Sequence, residues 1–274
     1  MKLADLNPFR HLFGTHPDES RPSPLLLLGE ARMLWELSSL PLAMPWLMAR
    51  VPRGDGHPVL VLPGLLAGDA TTVPLRQFLS AKGYDVSGWG RGANLGPREG
   101  VLDGMREHLA HLHAKKGRKV SVIGWSLGGV YARELAREAP ASVRQVITLG
   151  SPIYGDPETS SNAWAVYKVV SGRDGVQARE RGEGPPPVPT TSIFTRTDGI
   201  VGWGCSIETK GPQTDNIEIV GATHTGLGVH PLVLFAVGDR LAQPEAQWTH
   251  FKPRGAERAL YPADTPDRPR ASRG

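Results

Sequence analysis

One pentapeptide restricts the possible folds of this chain more than any other feature. It is Gly124-Trp125-Ser126-Leu127-Gly128, which matches the pattern G-x-S-x-G. The apolar run Lys119–Gly124 precedes it, and the amphipathic segment Leu127–Ala139 follows it. The first is typical of a buried strand and the second of a surface helix. We therefore predict a sharp strand-to-helix turn with Ser126 at its apex, where the flanking glycines avoid side-chain clashes.

The rest of the sequence alternates between short apolar runs and amphipathic segments. Strands are predicted at Val59–Leu62, Tyr84–Trp89, Lys119–Gly124, Val143–Leu149, Thr190–Thr195 and Ile217–Val220. Helices are predicted at Thr72–Lys82, Arg98–Lys116, Leu127–Ala139 and Pro231–Leu241. Such alternation requires crossover connections, so the fold class is α/β, with a mostly parallel sheet flanked by helices.

The breaks in this alternation predict the domain organisation. Residues 1–56 form an N-terminal extension with an apolar helix, and residues 57–150 with 190–242 form the core. Residues 151–189 interrupt the pattern and are predicted to be an inserted cap or lid, since long insertions between strands are usually functional. Residues 243–274 form a basic tail that is expected to extend over the surface or to be disordered.

The N-terminal segment 24–49 is predicted to be a helix followed by a proline-broken extension. Leu27, Leu34 and Trp35 could share one broad apolar face. That face would pack on the body of the protein, or it would serve as an interfacial anchor or substrate entrance. Charged residues and prolines interrupt the segment, so it is a poor candidate for a transmembrane helix.

Charge and cysteine content exclude several classes of function. Residues 251–274 hold six basic and three acidic side chains, so the tail carries +3 of the net charge of +4. The nearly neutral body argues against a nucleic-acid partner. A single cysteine, Cys205, allows neither an intramolecular disulfide nor a multi-thiolate metal site. The first residues lack the apolar region of a secretory signal, which favours a cytoplasmic location, with peripheral membrane contact as an option.

Four motifs resemble those of the α/β-hydrolase superfamily, and within it bacterial lipases and esterases. They are VLVLPG at 59–64, GWSLGG at 124–129, RTDGIV at 196–201 and GATHTGLG at 221–228. The resemblance covers roughly residues 57–242. It implies an α/β-hydrolase fold with a cap, and a serine nucleophile followed in chain order by an acid and a histidine.

A serine hydroxyl needs a base within hydrogen-bond reach and an acid that orients the base. His224 follows the last predicted strand by a short loop, where the resembled enzymes carry their base. Asp198 follows the strand Thr190–Thr195 and precedes Gly199, and lipase-like chains carry a similar stretch there. The rival histidines are His230, which is expected to be structural or capping, and His250. The rival carboxylates are Asp156, Asp174 and Asp215.

Two backbone N–H groups are expected to form an oxyanion hole. Leu127 follows the nucleophile and should supply one of them. The resemblance places the second on Leu65, although Pro63 stands where lipases usually have histidine. The choice between Leu65 and Leu66 therefore stays open at this point.

Aromatic residues near these motifs suit an apolar acyl substrate. Trp125 beside the nucleophile and Trp89 are candidate walls, and Trp164 with Tyr167 could line an acyl pocket or hold the cap together. The sequence thus predicts a serine hydrolase that cleaves small-molecule or lipid carboxylic esters and needs neither metal nor organic cofactor. The alternatives are an acyltransferase with the same triad and a non-catalytic ligand-binding protein of the same fold.

Overall fold

A computed structural model describes residues 20–177, 184–263 and 265 of the chain. Its centre is a sheet of six strands in the order β2-β1-β3-β4-β5-β6, and all neighbouring strands are parallel. The strands are β1 Pro58–Leu62, β2 Asp85–Ser87, β3 Val120–Trp125, β4 Val143–Leu149, β5 Thr190–Phe194 and β6 Thr214–Glu218. The predicted α/β class with a parallel sheet is confirmed.

Helices cover both faces of this sheet. They are α1 Pro24–Gly29, α2 Met33–Arg50, α3 Val73–Ala81, α4 Val101–Lys116, α5 Leu127–Glu138, α6 Pro157–Ser160, α7 Trp164–Gln177 and α8 Pro231–Leu241. Along β1, Val59 and Val61 join the apolar core beneath α2, α3 and α8, whereas Leu60 and Leu62 join the core beneath α4 and α5. A strand buried on both faces has no polar alternation, which explains its continuous apolar run.

The sixth strand differs from its prediction. It runs from Thr214 to Glu218, three residues earlier than the apolar stretch Ile217–Val220 indicated. Asp215 and Asn216 have low strand propensity, but pairing with β5 outweighs it. The Asn216 amide also exchanges two hydrogen bonds with the backbone of Glu208, which fixes it in the sheet.

The prolines of the N-terminal segment do not break its helix, contrary to expectation. Helix α2 continues through Pro41 and Pro45 as far as Arg50. Each proline deprives the carbonyl four residues earlier of its hydrogen bond. Both prolines are exposed, and the freed carbonyls of Leu37 and Pro41 belong to exposed residues. Water can therefore satisfy these carbonyls, and the helix persists.

The apolar face predicted for this segment points outward. Leu27 in α1 and Leu34 and Trp35 in α2 are 44%, 66% and 77% exposed, so this face does not pack on the body, and the alternative of an interfacial anchor or substrate entrance stays a prediction. The buried side chains of α2 are Glu36, Leu40 and Leu47 instead. The helix places its one carboxylate inward and much of its apolar surface outward. The carboxylate faces inward because it contacts a loop of the body.

The first part of the predicted tail packs against the body. The Tyr261 ring lies beside Phe235 and Phe251, and its hydroxyl donates to the carbonyl of Leu232 in α8. Glu257 pairs with Arg50 at the end of α2. Residues 264 and 266–274 of the tail, and residues 178–183 of the predicted cap, lie outside the described residues. Within the described ranges, no helix is both long enough and apolar enough to cross a membrane.

Candidate active site

Ser126 occupies the strained turn that its motif predicts. Its backbone φ is +52°, outside the usual region for a residue with a Cβ, and it joins β3 directly to α5. The turn depends on glycine on both sides. A Cβ on Gly124 would overlap the backbone of Gly129, and a Cβ on Gly128 would overlap the Leu62 carbonyl. The serine hydroxyl is thereby held at the carboxyl edge of the sheet.

Asp198 and His224 meet at the same edge of the sheet. The Nδ1 atom of His224 lies 2.6 Å from Oδ2 of Asp198, and both side chains are at least 95% buried. The other oxygen, Oδ1, accepts the N–H groups of Ile200 and Val201 at 2.8 and 2.7 Å. The carboxylate thus has a fixed orientation, with one oxygen on its own loop and the other on the imidazole.

The charge of Asp198 also changes the acidity of the imidazole. Burial alone would lower the pKa of His224, because it disfavours the cation. The negative charge of Asp198 and the hydrogen bond to it oppose burial, and the carboxylate of Glu30 adds a smaller contribution. The net result is a pKa above the usual value for histidine.

The side-chain hydroxyl of Ser126 makes no hydrogen bond of 3.5 Å or less with any residue that the structure describes. Catalytic hydrogen bonds are often long before substrate binds, so this geometry leaves a serine–histidine contact open. His230, the rival base, caps α8, and its Nδ1 accepts the N–H of Leu232 at 3.2 Å. Its predicted capping role is confirmed. Burial lowers the pKa of His230 to about 4.

The loop after β1 distinguishes between the two candidate oxyanion donors. Leu66 has a φ of +61°, and its N–H donates to the Asn94 carbonyl at 2.7 Å. The Asn94 amide in turn donates to the carbonyl of Pro63 at 2.9 Å. The N–H of Leu66 is therefore already used within the loop. Leu65 lines the same cavity as Ser126 and Leu127, which makes its N–H the better candidate.

An apolar cavity of about 390 Å³ opens beside Ser126. Its volume lies within the range that is usual for small-molecule sites. Trp164 stacks on Tyr167 at 5.4 Å between ring centroids, and both residues line the wall that the predicted cap contributes. The remaining wall residues include Leu102, Val130, Ile200 and Val201.

Trp125 and Trp89 lie elsewhere. The Trp125 indole packs against Gly228, and its N–H donates to the His224 carbonyl at 3.0 Å. It therefore supports the histidine loop, and it is not among the residues that line the cavity. Trp89 is buried in the core beneath α4 and α5, and its N–H donates to Gly92. Neither indole forms the expected substrate wall.

A second serine–histidine–aspartate arrangement lies at the opposite edge of the sheet. The Nε2 atom of His57 is 2.8 Å from the Ser121 hydroxyl, and Nδ1 contacts Asp55. Ser121 and His57 are completely buried, and neither lines the cavity beside Ser126. Ser121 sits inside β3, where the register with β4 shifts, and the helix that follows this strand begins only at Leu127. This group is structural, and it provides a control for Ser126.

Sequence reasoning missed several residues that hold the candidate site together. They are Glu30 and Glu36 in the N-terminal segment and Asn94 in the glycine-rich loop 88–97, which has the sequence GWGRGANLGP. A signal for the first two exists, because they are the only acidic residues between positions 24 and 50. A carboxylate in an otherwise apolar helix is either exposed or paired. Asn94 has no comparable signal, since asparagine is common in glycine-rich loops.

Known proteins share this architecture. The structure resembles Aspergillus fumigatus lipase B, with a TM-score of 0.54 and 17% identity over 73% of this chain and 57% of the other. It also resembles mature Bacillus licheniformis lipase BlEst2, with a TM-score of 0.54 and 16% identity over 70% and 94% of the two chains. The chain has the α/β-hydrolase fold. At these identities the likeness establishes the fold alone.

Sequence similarity to an esterase and to a serine hydrolase is limited to part of the chain. A pimeloyl-[acyl-carrier protein] methyl ester esterase from Aliivibrio salmonicida is 32% identical over 103 residues, or 36% of this chain and 38% of the relative. The mouse serine hydrolase BPHL is 29% identical over 120 residues, or 40% and 41% of the two chains. The matched stretch spans about two fifths of these relatives. No family model matches the chain.

The coupling between Asp198 and His224 generates a prediction about pH. The imidazole must be neutral to accept a proton, so activity should fall as pH drops through its raised pKa. Asp198→Asn removes the charge that raises this pKa, so the acidic limb of kcat/KM should move to lower pH. The kcat should fall about 10³- to 10⁴-fold, because the orienting anion is lost.

A pH–rate profile with a water-soluble ester measures both effects. The control is Asp156→Asn, because Asp156 was a rival acid and its carboxylate caps α6 through the N–H of Glu158. This variant should keep the wild-type profile. An acidic limb that shifts in Asp156→Asn, or that stays in place in Asp198→Asn, would contradict the assignment.

Proposed function

We propose that this protein hydrolyses carboxylic esters through an acyl-enzyme on Ser126. The observation that carries the proposal is the buried Asp198–His224 pair at the edge of the sheet that also holds the strained serine. An aspartate–imidazole pair of this kind activates a nearby hydroxyl. The partial similarity to an esterase and to a serine hydrolase supports the same reaction class.

The reaction would proceed in two halves. His224 accepts the proton of Ser126 as the hydroxyl oxygen attacks the ester carbonyl, and the N–H groups of Leu65 and Leu127 stabilise the resulting oxyanion. The alcohol leaves with the proton from His224, and the acyl group stays on Ser126. Water then attacks the acyl-enzyme and gives one proton to His224, which returns it to the Ser126 oxygen as the bond to the acyl group breaks and the acid is released. Asp198 holds the imidazole in the required tautomer throughout.

The substrate we propose has an apolar acyl chain. The cavity beside Ser126 is lined mainly by aliphatic and aromatic side chains, and the stacked rings of Trp164 and Tyr167 form one wall. Two carboxylates, Glu134 and Glu138, also line the cavity, and each is paired with an arginine that offsets its charge. The acyl part is therefore expected to be an uncharged hydrocarbon chain.

We also propose peripheral contact with a lipid surface through the outer face of α1 and α2. Leu25, Leu28, Leu34, Trp35 and Leu42 are 66% to 86% exposed there. Both carboxylates of residues 24–50 point inward, whereas Arg21 and Arg32 are exposed. An apolar face with only basic exposed charge complements anionic lipids.

Ester hydrolysis by serine variants tests the central proposal. Ser126→Ala should lower kcat at least about 10⁴-fold, because it removes the attacking hydroxyl. Ser121→Ala is the matched control. It removes the serine of the buried trio and should leave kcat within about twofold, at a stability cost of about 1 kcal/mol for the lost hydrogen bond. Full activity in Ser126→Ala would refute the proposal.

Product analysis with a competing alcohol separates hydrolysis from acyl transfer. We expect the free acid as the main product in buffer that contains millimolar alcohol, since water has access to the acyl-enzyme. A new ester as the main product would instead identify an acyltransferase that uses the same residues. Ligand binding without turnover of any ester would indicate the non-catalytic alternative.

A series of p-nitrophenyl esters tests the acyl preference. Each added methylene should raise kcat/KM about fourfold until the cavity is filled, since burial of one CH₂ contributes about 0.8 kcal/mol. Trp164→Ala removes a cavity wall and should flatten this dependence, whereas Trp35→Ala, outside the cavity, should preserve it. A sharp maximum at the acetyl ester would contradict an apolar acyl site.

Co-sedimentation with lipid vesicles tests the surface contact. The wild-type chain should bind vesicles that contain phosphatidylserine more strongly than vesicles of phosphatidylcholine alone. The double variant Trp35→Ser, Leu42→Ser should lose about tenfold or more in affinity, because it removes two large exposed apolar groups. Equal binding by both proteins, or dimerisation that buries this face, would contradict a lipid partner.

A further inference from the structure

Glu30 connects the two loops that carry the candidate acid and base. Its Oε1 accepts the N–H of Gly199 at 2.8 Å and the N–H of His224 at 3.0 Å. Its Oε2 accepts the N–H of Thr225 at 2.8 Å and the Thr225 hydroxyl at 2.7 Å. Gly199 directly follows Asp198. One carboxylate therefore spans the acid loop and the base loop through four hydrogen bonds.

Glu36 binds the same histidine loop one residue earlier, at Thr223. Its Oε1 accepts the N–H of Thr223 at 2.9 Å, and its Oε2 accepts the Thr223 hydroxyl at 3.1 Å. Burial raises the pKa of Glu36, although the hydrogen bonds from Thr223 oppose this effect. Three consecutive N–H groups of the histidine loop, at positions 223, 224 and 225, are thus accepted by the N-terminal segment.

The two loops are shaped to receive this segment. A Cβ on Gly199 would overlap the Leu26 carbonyl of α1, and a Cβ on Gly226 would overlap the carboxylate of Glu36. The glycines of the TDG and THTG stretches therefore permit a close approach that any larger residue would prevent. These contacts span more than 160 residues of sequence, so local folding of the loops does not supply them.

We propose that Glu30 is a positioning residue, which sets the relative placement of Asp198 and His224 by holding both of their loops, and that Glu36 supports it on the histidine side. The N-terminal segment is then part of the catalytic apparatus, although it contributes no group to the reaction itself. This inference rests on the proposed ester hydrolysis at Ser126.

The contacts give Glu30 two separable effects on His224. Its hydrogen bonds fix the position of the histidine backbone, and a misplacement of about 1 Å can cost about 10²-fold in rate. Its negative charge also contributes to the raised pKa of the imidazole, after the larger contribution of Asp198. If Glu30 only stabilised the fold, its removal would neither change kcat alone nor shift the pH profile.

The test compares Glu30→Ala, Glu30→Gln and the control Glu107→Ala in the full chain, with a water-soluble ester. We expect Glu30→Ala to lower kcat about 10²-fold with little change in KM, because the chemistry is misaligned while the cavity is intact. Glu30→Gln keeps one acceptor oxygen and should recover part of this loss. In both Glu30 variants the acidic limb should move to lower pH. Glu107→Ala removes an exposed carboxylate of α4, far in sequence from both loops, and should resemble the wild type.

Two further measurements keep this inference distinct from the proposed function. Thermal unfolding shows whether each variant is folded at the assay temperature. If Glu30→Ala is unfolded there, the comparison uses Glu30→Gln in its place. Folded Glu30 variants with wild-type kcat and an unshifted acidic limb would overturn the positioning role, and so would a loss of activity fully explained by unfolding. Retained hydrolysis in Ser126→Ala would instead overturn the proposed function, whatever the Glu30 variants do.

Discussion

The left-handed backbone at Ser126 is the constraint on which the rest of this structure depends. A residue with a Cβ in that conformation costs on the order of 1–3 kcal/mol and persists only where its surroundings enforce it. Here a hydrogen bond from the Ser126 N–H to the Leu149 carbonyl, at 2.8 Å, fixes the turn against β4. Helix α5 begins immediately afterwards, at Leu127. The strain aims the hydroxyl away from the core and toward the cavity.

Polar side chains, all buried except the half-buried Glu30, hold each loop around that turn. Asp198 fixes its own loop and the imidazole, Asn94 fixes the loop of Leu65, and Glu30 with Glu36 fixes the histidine loop. A buried carboxylate or amide is tolerable only when its hydrogen bonds are made. Loss of one such partner leaves a costly unpaired group, so these loops have few alternative positions.

The inward carboxylates also explain the exposed apolar face of the N-terminal helix. Glu30 and Glu36 must face the loops that they bind, and this rotation turns Leu34 and Trp35 toward solvent. The polar contacts of these carboxylates, together with the burial of Leu40 and Leu47, therefore determine the orientation of the helix. The outer surface of the helix is apolar because its carboxylates face the candidate site.

Much of the core could be predicted because its signals are local. The run Val59–Leu62 and the turn at Ser126 each carry their conformation within a few residues. The orientation of α2 could not be predicted in this way. Hydrophobic periodicity assigns an apolar face inward, and it does not consider backbone N–H groups, distant in sequence, that a side chain of the helix binds. The strand at Thr214 was misplaced for a related reason, since Asp215 and Asn216 are held there by β5 and Glu208.

Trp125 shows the same limit at the scale of one side chain. Its position beside Ser126 suggested a substrate wall, but neighbours in sequence point to opposite sides of a strand. The indole consequently lies on the side of Gly228 and bonds to the carbonyl of His224. The position of Trp125 next to the nucleophile thus indicated that its side chain belongs to the site. Only the fold showed that this side chain contacts the histidine loop.

Covalent labelling with a fluorophosphonate tests the central claim most directly, because the probe reacts with activated serines and needs no knowledge of the substrate. Intact-mass and peptide analysis of the wild-type chain should give one adduct, on Ser126, and none on the buried Ser121. His224→Ala should abolish this adduct without unfolding the chain. The absence of any adduct, or an adduct that persists in His224→Ala, would contradict an activated serine at this turn.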